Sequence, residues 1–210
     1  MEVAPIATIG HSDRTWEDLV ETLQKSRIGT VVDIRTTPFS NHYPHFNQNV
    51  LEVSLPLAGI KYIHLGTQLG ARRTEAHLLS SEGKVSYAKV REDPDFKRAI
   101  RQIEDQARAG NRLVLLCAEG SPMECHRFPM VAYQLARDGF QVHHIYKDGS
   151  IKTHNQVEQE LVDWYERKFP QPGLFEASVS KADQLEAAYL KLNLKIGYTP
   201  DENENRDLRA

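Results

Sequence analysis

Short apolar runs alternate with helical periodicity along most of this chain. Ile6 to Ile9 reads as a strand, and Trp16 to Lys25 as the helix that follows it. Ser12 or Asp13 is placed to cap that helix. Thr30 to Ile34 is a second strand. Asn47 can cap a helix carried by Leu51, Leu55 and Leu57, which stops near Gly59. Ile60 to His64 is a third strand. Asp95 to Ala109 keeps helical spacing up to Gly110. Arg112 to Leu116 is a fourth strand and Gln141 to Tyr146 a fifth. Strands separated by helices predict an α/β fold: a three-layer sandwich around a mostly parallel five-stranded sheet. Right-handed crossovers would place helices on both faces.

Two stretches break that rhythm. Residues 66–94 form a long insert containing Gly70, Arg72, Arg73, Gly83 and Lys84. Its bland reading, a solvated lid, is the favoured one. Beyond the α/β domain, assigned to residues 1–154, the chain continues as a helical C-terminal extension over 155–200. That extension has helices at Asn155 to Lys168 and Lys181 to Leu192, separated by a break at Pro170 to Gly173. Residues 201–210 are polar and are expected to be disordered.

The fourth strand runs into Cys117-Ala118-Glu119-Gly120-Ser121-Pro122-Met123-Glu124-Cys125-His126-Arg127, which holds both cysteines of the chain. Ser121 and Glu124 have the spacing of a capping box, and Pro122 would take the first helical position. Met123, Phe128, Met130, Val131, Leu135 and Ala136 supply an apolar face, and Gly139 the stop. The N–H groups at such a helix start attract anions and lower thiol pKa values. Arg127 near that positive end runs against local preference. Anion binding and an ion pair with Glu119 or Glu124 explain it equally well.

Composition narrows the classes. A chain of 210 residues can bury a sizeable core. The formal net charge of −3 gives no global case for nucleic acid or a membrane surface. No apolar run approaches the ~18 residues of a membrane span. The N-terminus lacks the basic and apolar regions of a signal peptide. Two cysteines make no disulfide framework, so a reducing, cytoplasmic location is the expectation.

Ligands of parallel α/β sheets bind beyond the carboxyl ends of the strands. There this chain has His11 and Ser12, Asp33 and Arg35, His64, Cys117 with Glu119, and then Tyr146 and Asp148. Each has a plainer reading. Asp33 and Arg35 share a face of their strand and can simply pair. His64 can be a satisfied core histidine. Cys125 can be an apolar filler as readily as a reactive thiol. His42, His45, His143 and His144 have no spacing that singles them out.

In order and spacing these pieces resemble the domain of unknown function 488 family. The resemblance rests on Thr8-Ile9-Gly10-His11-Ser12, on Val31 to Ser40, on Pro44-His45-Phe46-Asn47, on Gly59 to His64 and on Leu69-Gly70. It continues through Leu116-Cys117-Ala118-Glu119, Pro122 and Cys125-His126-Arg127 to Asp148-Gly149 and His154. The chain departs from the family at Asn41, where an arginine is frequent, and at Ala71, where a second glycine is. The resemblance implies a polar site at His11, Asp33, Arg35, His64, Cys117, Glu119, Cys125, His126, Arg127 and His154. It implies no reaction.

Three functions compete. The leading one is an enzyme, a thiol-dependent hydrolase or transferase acting on a small anionic, phosphorylated or nucleotide-like substrate. Cys117 would be nucleophile or redox thiol, His11 or His126 the base, and Glu119 or Asp33 the group that orients a histidine or handles a proton. Ser12, Arg35, His64, Cys125, Arg127 and His154 would line the substrate site, with the two arginines on its anion. The phosphatase spacing Cys-x5-Arg is absent, because position 123 is Met. The second function is a Cys/His metal site. It would take Cys117, Cys125 and one or two of His11, His64 and His126 around zinc or iron. It ranks lower because the eight-residue cysteine spacing is not a standard knuckle and because Cys125 and His126, adjacent on one helix, would point apart. The third is a nucleic-acid module using Arg72, Arg73, Lys84, Lys89 and Arg91 around Tyr87. The acidic residues beside them count against it. No cofactor motif is identified, and the oligomeric state is left open.

Overall fold

Valine, isoleucine and leucine runs buried on both faces form the centre of a parallel sheet. The structure, a computed structural model, describes residues 3–168 and 180–200. In chain order it has β1 (Ile6–Gly10), α1 (Trp16–Lys25), β2 (Thr30–Asp33), α2 (Gln48–Leu57), β3 (Lys61–His64) and α3 (Gly66–Leu69). There follow α4 (Tyr87–Glu92), α5 (Pro94–Arg108), β4 (Leu113–Cys117), α6 (Tyr133–Arg137), β5 (Val142–Ile145), β6 (Ile151–Thr153), α7 (His154–Lys168) and α8 (Lys181–Ile196).

The sheet order is β3-β2-β4-β1-β5-β6. The first five strands are parallel, and β6 runs antiparallel to β5. The sheet therefore has six strands, not five. The sixth is a three-residue edge strand reached by a hairpin at Asp148-Gly149, with Gly149 at φ 81°. Its alternation is too short to register as a strand in the sequence.

Side chains alternate between two apolar clusters. Ile6, Val32, Ile34, Leu113, Leu115 and Cys117 pack with Phe96, Ile100 and Ile103 of α5 and Leu135 of α6. Ala7, Ile9, Val31, Val114 and Leu116 pack with Leu19 and Leu23 of α1 and Leu51 and Leu55 of α2. The cap of α1 is Thr15, whose hydroxyl accepts from the Asp18 N–H at 3.1 Å, and not Ser12 or Asp13.

The insert is no solvated lid. Leu78, Val85, Tyr87 and Val90 are buried in the same cluster as β4 and α5. Arg73 is buried as well, and its Nη1 donates to the Thr67 carbonyl at 2.7 Å.

The helix after β4 also differs from the sequence pattern. Ser121 makes no side-chain cap, and Pro122–Glu124 form only a short 3₁₀ turn that ends at Cys125 in extended conformation. The helix starts afresh at Arg127 as a π-helical turn, Arg127–Ala132, and runs on into α6. Pro129 inside this turn has no N–H to give to a preceding carbonyl, which favours the wider winding.

The C-terminal helices pack on that turn. Phe128 forms a cluster with Val157 and Leu161 of α7 and Ala188, Tyr189 and Leu192 of α8. Beneath it runs a buried polar chain. Thr8 Oγ1 meets His144 Nδ1 at 2.8 Å, His144 Nε2 meets His154 Nδ1 at 3.3 Å, and His154 Nε2 meets the Tyr189 hydroxyl at 3.1 Å. Tyr189 then donates to Glu158 Oε1 at 2.9 Å. A carboxylate only accepts, so the Tyr189 hydrogen points to Glu158 and His154 Nε2–H donates to the Tyr189 oxygen. Burial holds His144 neutral, with its pKa well below the ordinary value. Burial opposes the charge on Glu158, but bonds from His154 and Tyr189 outweigh it and lower its pKa. The break at Pro170 to Gly173 and the tail at 201–210 lie outside the described residues.

Tyr189→Phe removes the one hydroxyl that serves both His154 and Glu158 and leaves the interior packing in place. The expected loss is about 1–3 kcal/mol in urea-induced unfolding. An unchanged midpoint would mean that the chain of bonds does not fasten the helices.

Candidate functional site

Strand register sets the site. Gly10 is level with Cys117, and Asp33 with both Leu116 and His64, so the groups that follow share one rim of the sheet. Two glycines permit the close packing there. A Cβ on Gly10 would run into the Glu119 carbonyl, and one on Gly66 into the Arg35 carbonyl. Ser12, at the same rim, holds φ at 47°, a strained value for a serine.

On the α1/α2 face lies a charge network. Arg35 Nε donates to Asp33 Oδ1 at 2.9 Å, and its Nη2 to Asp33 Oδ2 at 2.5 Å and to the Phe46 carbonyl at 2.8 Å. Tyr62, which the sequence did not single out, donates to Asp33 Oδ2 at 2.9 Å. Arg35 Nη1 donates to His11 Nε2 at 3.1 Å, while His11 Nδ1–H donates to the Ser12 carbonyl at 3.0 Å. His11 is thus neutral with both nitrogens engaged. Burial, and then Arg35, push its pKa down to about 4. Asp33 and Arg35 do pair, but the pair also carries His11.

On the α5/α6 face lie the sulfurs. Cys117 Sγ donates to Glu119 Oε2 at 3.1 Å and stands 3.7 Å from His126 Nδ1, and Cys125 Sγ stands 3.9 Å from the same nitrogen. The extended backbone at Cys125 is what brings it together with His126, so the helical geometry expected to separate them does not arise. His126 Nε2–H donates to the Ile34 carbonyl at 3.2 Å, which leaves Nδ1 facing both sulfurs. One donor atom from each of Cys117, Cys125 and His126 lies within 4.8 Å of the others. Both cysteines are free thiols, each 2% exposed.

Burial raises the Cys117 thiol, and the neighbouring Cys125 raises it further, so Cys117 keeps its proton. Burial also opposes a charge on Cys125, but Cys117, Arg127 and His126 outweigh it and bring its pKa well below the ordinary value. Burial and then Cys125 push the Glu119 carboxyl above the usual carboxylate range.

Arg127 is not the exposed anion clamp that its position suggested. It is 0% exposed, its Nη1 and Nη2 donate to the Glu119 and Gly120 carbonyls, and its Nε has no partner among the described residues. Its N–H donates to Cys125 Sγ at 3.4 Å. Substituting it therefore disturbs the interior rather than a surface loop.

Beside the charge network opens a cleft of about 360 Å³, lined by His11, Ser12, Arg35, Thr37, Tyr43, Arg72 and Glu119 among others, with Glu119 its link to the sulfurs. His64 stands behind it, with Nε2 on the Arg35 carbonyl at 2.9 Å. His154 is apart, in the buried chain under Phe128. The larger cavity of about 720 Å³ lies against α1, β5 and β6, away from these groups.

Native His11 refuses a proton that the unfolded chain accepts between pH 6.5 and about 4. Its contribution is whole above pH 6.5 and is lost as pH falls towards 4, by about 3 kcal/mol at most. His11→Gln keeps an acceptor for Arg35 and does not titrate. Its stability is expected to fall less than that of the parent between pH 7.5 and 5 in urea unfolding, and equal falls would refute the assignment. A methyl at Gly10 should cost about 1–3 kcal/mol by overpacking. Gly29→Ala, with nothing within 4 Å, is the control and should stay near neutral.

Among curated proteins none matches this chain. Over residues 15–134, more than half of its length, it matches the family described as domain of unknown function DUF488. By that match the chain belongs to the DUF488 family.

Proposed function

We propose that Cys117, Cys125 and His126 form a metal centre and that the protein is an enzyme acting on a small anionic molecule held in the rim cleft. One observation carries this: three converging donor atoms, one on an imidazole whose other nitrogen is fixed by a backbone carbonyl. A histidine ligand is ordinarily oriented in this way by a second partner. Thiolate and imidazole donors suit borderline metals, zinc first among them, and three protein ligands are the usual count at catalytic zinc sites. A divalent ion, two thiolates, the Glu119 carboxylate and the Arg127 guanidinium sum to zero charge, as a buried set should.

Direct attack by a cysteine on a substrate fits less well, because both sulfurs are buried. Glu119 reaches Cys117 and also lines the cleft, so it is placed to take a proton from a molecule there. The anion would meet exposed Arg72, which has no carboxylate within ion-pair distance among the described residues. It would also meet the one Nη1 hydrogen that Arg35 has left. Nucleic-acid tracking gains no support: Arg73, Lys84 and Lys89 donate to the carbonyls of Thr67, Leu194 and Leu79.

Cobalt(II) titration of the reduced protein tests the centre. A thiolate-to-metal absorption band at one equivalent is expected, lost in Cys117→Ser, Cys125→Ser and His126→Ala. Glu119→Gln should weaken metal affinity about 10–100-fold. No band, together with no zinc by elemental analysis of protein purified without chelator, would end the proposal.

A further inference from the structure

A second cavity, of about 420 Å³, opens between α4, the π-helical turn and α8. This is within the ~300–1,000 Å³ range of small-ligand sites. Tyr87, Tyr133 and Tyr189 contribute aromatic wall, Arg91 stands on the α4 side, and Asp183 and Glu186 on the α8 side.

Arg91 lacks a counter-ion. Its guanidinium carbon is 4.1 Å from the Tyr133 ring centre, and its Nη1 donates to the Pro129 carbonyl at 2.9 Å. No carboxylate lies within ion-pair distance of it among the described residues, whereas Lys97, Arg98 and Arg108 of neighbouring α5 all have one. Arg137 shares the Tyr133 ring, at 5.4 Å, and adds a second positive charge. Burial lowers the Arg91 pKa, as expected of a cation short of an anionic partner.

The tyrosine hydroxyls are partly engaged elsewhere. Tyr133 accepts from Arg137, and Tyr189 serves His154 and Glu158. Tyr87 and Tyr189 are buried, and Tyr133 is the ring of the three with partial exposure. Leu190, 60% exposed, adds an apolar lip. Asp183 and Glu186 supply acceptors that suit hydroxyl or amino hydrogens. Anion, flat ring and hydrogen-bond donors together describe one class of molecule.

We propose that this cavity is a binding site for a nucleoside monophosphate. The phosphate pairs with Arg91, the base lies against the Tyr133 ring, and ribose or amino hydrogens reach Asp183 and Glu186. The site is separate from the rim cleft and does not depend on the metal centre.

Calorimetric titration of the full chain with AMP and GMP tests it, with adenosine and inorganic phosphate as partial probes. A nucleotide equivalent is expected that weakens at least ~10-fold in Arg91→Ala, a factor in keeping with loss of a charge-assisted pair. Leu190→Glu, at an exposed lip where folding is not at risk, should weaken it by repulsion, and added salt should relieve that effect. Arg72→Ala, in the rim cleft, should leave this equivalent in place. No nucleotide binding at millimolar concentration overturns the proposal. So does binding that follows Arg72 and ignores Arg91 and Leu190. Phosphate alone binding as tightly as AMP would mean an anion site without base recognition, and would overturn it too.

Discussion

A buried arginine with no carboxylate in ion-pair distance among the described residues is the constraint around which the rim is arranged. Placing a guanidinium in an interior costs several kcal/mol unless its donors and its charge are met. Arg127 meets its donors with the Glu119 and Gly120 carbonyls, which fixes the path of the loop after β4. That path brings the Glu119 carbonyl so close to Gly10 that no side chain fits there. Arg127 is also among the groups that lower the Cys125 pKa, and its backbone N–H donates to the Cys125 sulfur. Loop shape, strand end and thiol chemistry thus follow from one side chain.

The sheet edge divides the polar groups by face. Asp33, Arg35, His11 and Tyr62 gather on the α1/α2 face, and the sulfurs with His126 on the α5/α6 face. Two residues join them. Ile34 lies between Asp33 and Arg35 in the chain, and its carbonyl fixes His126. Glu119 bonds Cys117 and lines the cleft beside His11 and Arg35. A change on either face therefore reaches the other through a backbone carbonyl or a single carboxyl group, over one strand's width.

Much of this was legible in the sequence, because parallel strands buried on both faces write themselves as apolar runs whose ends are easy to find. The i, i+2 spacing of Asp33 and Arg35 foretold their pairing, and the end of β4 placed Cys117 at the rim. What failed to show depended on contacts made elsewhere. Ser121 and Glu124 spell a capping box, but the ties of Arg127 and the extended backbone at Cys125 move the helix start onward. The insert reads as polar, although Leu78, Val85 and Val90 are spaced to reach the core from separate short turns. Tyr62 carries no local signal, since its partner Asp33 lies one strand over. The edge strand β6 has too few residues for a pattern.

The π-helical turn explains how one short segment serves three places at once. Arg127 faces the sulfurs and the loop carbonyls. Phe128 lies 5.7 Å from the His144 ring centre and 5.0 Å from that of His154, closing the buried chain from above. Pro129 offers its carbonyl to Arg91. Three consecutive residues of a regular helix already point about 100° apart. Here each direction is occupied by a different polar system, and Pro129 removes the N–H that would otherwise draw the segment back into ordinary winding. π turns recur at functional sites because they spend helical regularity on side-chain placement. In this chain that placement sets the cysteine pair, the C-terminal helices and the tyrosine-lined cavity against one another, so that a shift of the turn would alter all three together.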